Sequence, residues 1–145
     1  MSKDEELERI TEAYLDPIFG PGAGRKHSAF LRRIESDSLR EALHRAHGVE
    51  GETALLPLDV HYLVAVCVLC AVKSYGTAAM FAKTLRHLGV PRARIVEAVG
   101  RNALWVGAVA ATEASIAIQR ALDEWDAKGL ASLEAWFPEP GTPRG

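Results

Sequence analysis

Two sets of reactive side chains stand close together in the middle of the chain. Cys67 and Cys70, in the run Cys-Val-Leu-Cys, are spaced to share one side of a helix, as a redox pair or disulfide would be. Thiols that react usually lie at helix N-termini or beside cations, where the thiolate is stabilised. These two instead sit inside an apolar run, where burial raises a thiol's pKa and a cysteine packs as a small hydrophobe. Core packing is therefore the plainer reading. Zinc is disfavoured, because no second Cys/His pair has suitable spacing, and no metal or cofactor is expected.

Three residues further on, the apolar run meets the polar break Lys73-Ser74-Tyr75-Gly76-Thr77. Ser74 or Thr77 can cap the helix that follows, and a helix N-terminus offers unpaired amides with partial positive charge. Lys73 adds a full charge, so the break suits an anion such as a substrate carboxylate. The hydroxyl of Tyr75 can donate to an oxyanion or relay a proton. The competing reading is a capped helix start with a solvated lysine and a packed tyrosine.

Upstream, His61 could act as acid or base near neutral pH, with Tyr62 beside it. Phe81 follows the break on the second helix, and Glu113 is an acid among small residues in AVAATEAS. Glu113 serves equally as a pocket carboxylate or a paired structural one. Trp105 reads as packing rather than cofactor stacking. His27, His44 and His87 have no partner pattern and are expected to be exposed.

All of these residues must be positioned by helices. The organising stretch is 57–89: a Pro-Leu-Asp helix start, an apolar run over 62–72, the break, and an amphipathic segment over 78–88 stopped at Gly89. A run apolar on every side cannot be a surface helix, so other helices or another subunit must cover it. Before it, a capping box of Ser2 and Glu5 opens a helix over 3–15, and the prolines and glycines from Pro17 to Gly24 make a loop. A short helical piece carries Phe30, Leu31 and Ile34. Ser38 with Glu41 opens another helix to about 46, and 48–53 is turn-like. After it, the pattern predicts a helix over 92–106, a joint at Gly107, and a long helix over 108–128. That last helix carries Ala108, Ala110, Ala111 and Ala114 for close packing, with Ile118, Leu122 and Trp125 along its stripe. The class is all-α, one domain over 1–136, with an extended tail over 137–145.

The 145 residues suffice for one buried core, and a net charge of −2 with mixed signs gives no basic stripe for nucleic acid. The apolar run of eleven residues falls short of the roughly 20 that span a bilayer. The acidic N-terminus is unlike a signal peptide, which points to a cytoplasmic protein that does not engage membranes.

Over 60–114 the order of features resembles the carboxymuconolactone decarboxylase family and its AhpD-like alkylhydroperoxidase relatives. The pieces that carry the resemblance are LVAVCVLCAV, the break, AAMFAKTLRHLGV, ARIVEAVGRNALWVG and AVAATEA, the last similar to the family's Gly-x-x-Ala-Ala-x-x-Ala ending. The resemblance implies an AhpD-like helical bundle with a broken central helix pair, assembled as a homotrimer or homohexamer. In the peroxidase branch the second helix begins Cys-x-x-Cys-x-x-x-His; those places here hold Ser74, Thr77 and Phe81. The decarboxylase branch expects the same histidine, and the peroxidase relay's Glu and neighbouring Arg fall on Tyr62 and His61. Cys67 and Cys70 lie seven residues too early, about 10 Å along a helix at 1.5 Å per residue.

Three functions follow. The first is a cofactor-independent lyase-like enzyme for a small carboxylated or lactone-type metabolite. In it His61, Tyr62 and Tyr75 handle protons, and Lys73, Ser74, Thr77, Phe81, Trp105 and Glu113 bind the substrate. The second is a non-catalytic ligand-binding or assembly relative. The third is a thiol peroxidase or disulfide reductase using Cys67 and Cys70.

Overall fold

The computed structural model describes residues 1–46 and 55–134. The turn-like stretch 48–53 and the tail 137–145 lie outside the described residues. Within them the chain is all-helical, and no helix is long and apolar enough to cross a membrane. Contacts gather into two compact units, Met1–Leu55 with Glu134–Gly145, and Leu56–Leu133. The expected single domain over 1–136 spans both.

The first unit holds α1 (Lys3–Phe19), α2 (Ala23–Leu31) and α3 (Asp37–His44). The capping box forms as expected: Glu5 N donates to Ser2 Oγ at 3.2 Å, and Ser2 N donates to Glu5 Oε2 at 2.6 Å. The loop expected from Pro17 starts later, because α1 runs through that proline to Phe19. The lost amide is offset by Ile18 and Phe19, which the extra turn carries into the core. The Asp16 carboxylate then accepts from the amides of Gly22 (3.1 Å) and Gly24 (2.8 Å), which start α2 without a side-chain cap of their own. Gly24 is required by contact as well, since a Cβ there would stand 2.4 Å from Glu12 Cα.

The cap of α3 is Ser36, not the expected Ser38. Ser36 is extended (φ −79°, ψ 108°) and takes the Leu39 amide, while Arg40 ties the first turn through Asp37 and the Ile34 carbonyl. His44, expected to be exposed, is buried with Nδ1 3.0 Å from the Thr11 hydroxyl, which donates to Leu7 O. His27 and His87 are half-buried rather than exposed, His87 meeting the half-buried Trp125 edge-on at 6.2 Å.

The second unit holds α4 (Leu58–Ala71), α5 (Tyr75–His87), α6 (Arg92–Arg101), α7 (Ala103–Val106), α8 (Ala108–Lys128) and the start of α9 (Ala131–Glu134). The three residues between α4 and α5 make them an antiparallel hairpin, packed on α8. Tyr62, Val66 and Cys70, four residues apart, are the inner stripe of α4; Ala78, Ala82 and Leu85 face them from α5. Ile95 and Val99 on α6 complete this core with Ala111, Ala114, Ile118 and Leu122 on α8. The expected small-residue face is thus shifted, with Ala108 exposed and Ala110 only half-buried.

Ion pairs lock the helices: Arg92 reaches Asp123 and Asp126, both at 2.7 Å, and Arg94 reaches Asp59 at 3.4 Å. Lys83 is buried, with its ammonium 2.6 Å from Glu124 and 3.3 Å from the Ser132 carbonyl. The helix expected over 92–106 breaks at Asn102, whose side-chain amide donates to Cys67 O at 3.0 Å. Asn102 keeps right-handed helical backbone (φ −58°, ψ −18°) at this junction, and its bond ties the start of α7 to the middle of α4.

The all-round apolar helix is covered on its inner side alone. Val64, Val68 and Val72, again four residues apart, are 54%, 55% and 67% exposed. Trp105, expected to pack, is 83% exposed on α7.

Candidate functional site

The break between α4 and α5 is built by a Schellman closure. Lys73 N donates to Cys70 O (3.1 Å) and Ser74 N to Leu69 O (2.8 Å), which requires the residue between them to turn left-handed. Lys73 adopts that conformation at φ 60°, the one non-glycine residue with positive φ among the described residues. A side chain in this region costs about 1 kcal/mol relative to glycine. The next helix starts one residue later, at Tyr75.

Ser74 stands at the N-cap position, but its side chain makes no capping hydrogen bond, so the sequence expectation of a serine cap is corrected. Its backbone (φ −85°, ψ 62°) is not the extended form that aims a cap hydroxyl at the first-turn amides. Thr77 lies inside the first turn, half-buried. That turn holds no acidic residue of its own, and Lys73 has no ion pair among the described residues.

The α8 helix brings Glu113 to this end of α5, where the Tyr75 hydroxyl donates to Glu113 Oε2 at 3.3 Å. Partial burial raises the Tyr75 pKa above its ordinary 10, and the Glu113 carboxylate beside it raises it further. Tyr75 is therefore a neutral donor at neutral pH. The pair is long for an O–H···O bond, leaving room for the hydroxyl to turn to another acceptor.

The upstream residues stand elsewhere. Tyr62 is buried, its ring edge-on to Phe81 at 5.1 Å and to the exposed His61 at 5.0 Å. Roughly 15 Å of helix axis separates His61 from the end of α4, at 1.5 Å per residue. The structure thus brings Lys73, Ser74, Tyr75, Thr77 and Glu113 together and groups His61, Tyr62 and Phe81 separately. Among the described residues Trp105 joins neither group through a ring contact or side-chain hydrogen bond.

Cys70 is buried and Cys67 half-buried, and neither is bonded. Burial raises both thiols, and Cys70, with Cys67 beside it, is pushed up to about 11. Thiolate is scarce at neutral pH under those conditions. No group of three or more His, Cys, Asp or Glu among the described residues could hold a metal ion.

Sequence reasoning missed two positioning groups. Asn102 could have been suspected as a helix-interrupting amide. The Lys83–Glu124 pair is 41 residues apart, on helices whose packing no spacing rule gives. Compared with known proteins, the chain matches no family model, no curated protein and no solved structure.

Proposed function

We propose that the second unit is a cofactor-independent, carboxymuconolactone-decarboxylase-like enzyme of the cytoplasm, acting on a small carboxylated or lactone-type metabolite at the α4–α5 break. The observation that carries this reading is the Tyr75–Glu113 hydrogen bond, close in sequence to Lys73, which has no ion pair among the described residues. Lys73 and the uncapped amides of α5 hold the substrate carboxylate, as helix N-termini hold anions. Tyr75 donates its proton to the oxygen that becomes negative, and Glu113 orients the phenol and receives a proton in turn. Ser74 and Thr77 supply hydroxyls to the same anion. In this scheme His61, Tyr62 and Phe81 shape the α4–α5 hairpin from its other end.

A second reading, a ligand-binding relative without catalysis, is favoured by one contact. Phe81 stands where the resembled family has its histidine, and it packs on Tyr62, so that place holds apolar stacking in this chain. The thiol reading has little support, given Cys70 at about 11 and its burial.

The test is a panel of carboxylated lactones and matched neutral lactones, screened by thermal shift and then for turnover. Stabilisation by the carboxylated members, lost in Lys73→Met, with turnover lost in Tyr75→Phe, supports the enzyme. Stabilisation without turnover moves the assignment to the binder. Indifference to every carboxylate overturns both.

A further inference from the structure

We draw no further inference here: the strongest candidate, the cavity of about 500 Å³ between α1, the end of α2 and α3, is walled by Glu8, Asp37 and Glu41, whose carboxylates are already taken by Arg32, Arg40 and Lys3, and nothing in the structure shows what it would hold.

Discussion

The chain closes two consecutive helices in the same way with different residues. At the end of α5, Gly89 N donates to Arg86 O (3.0 Å) and Val90 N to Leu85 O (2.9 Å), around a glycine at φ 87°. At the end of α4 the same pair of bonds runs around Lys73. The helices that follow differ too. At the start of α6, Arg92 and Arg94 are tied to Asp123, Asp126 and Asp59. At the start of α5, Lys73 has no such partner among the described residues, and Tyr75 meets Glu113 from α8. The Gly89 turn is a joint whose charges are spent on holding helices together. The Lys73 turn carries a strained backbone and a charge with no ion pair among the described residues, the combination expected where conformation serves a ligand.

The contrast can be broken or sharpened by substitution. The largest effect is expected from Tyr75→Phe. Loss of a general acid typically costs about a hundredfold or more in rate, so steady-state turnover of the stabilising lactone should fall that far with KM little changed. Lys73→Met should weaken carboxylate binding about tenfold, the worth of one charge-assisted contact, in a titration of the same ligand. Gly89→Lys transfers the strain to the other joint and should cost about 1 kcal/mol in urea denaturation, with ligand affinity unchanged. If Gly89→Lys also abolishes binding, the two turns are not functionally distinct.

Smaller effects come from the charges that hold the frame. A hydrogen bond from Lys83, followed by its charge, holds the Glu124 carboxyl below its ordinary 4.5. A depressed acid adds stability above its unfolded pKa and loses it as pH falls through the folded one. Unfolding midpoints should therefore drop as pH is lowered below about 4.5, and Glu124→Gln should flatten that dependence. The smallest response is expected at the thiols. Cys67 and Cys70 should react slowly with a disulfide reagent at pH 7 and at the unfolded rate in denaturant. Fast native labelling would revive the redox reading.

Much of the frame was legible because it is local. The capping box at Ser2, the stop at Gly89, the joint at Gly107 and the α8 helix follow from short-range chemistry, and all appear as read. The misreadings share a cause in tertiary contact. Pro17 is tolerated because Ile18 and Phe19 gain burial, Asn102 at the α6–α7 junction bonds to Cys67 O, and His44 is buried against Thr11. At the candidate site, the break itself was legible from Lys73-Ser74-Tyr75-Gly76-Thr77. The partnership of Tyr75 with Glu113 was not, because it joins residues 38 apart. Nor was the left-handed turn, since nothing in Val-Lys-Ser announces a position that glycine would fill more cheaply. His61 and Tyr62 were grouped with Tyr75 by sequence order, and the length of α4 separates them.

Replacing Lys73 with glycine tests the central claim most directly, because it relieves the backbone and removes the charge in one step. Urea denaturation of Lys73→Gly is predicted to show about 1 kcal/mol more stability than wild type, together with loss of the carboxylate-dependent thermal shift. A variant that is more stable and binds carboxylates as well as wild type would contradict it, leaving Lys73 as an ordinary turn residue.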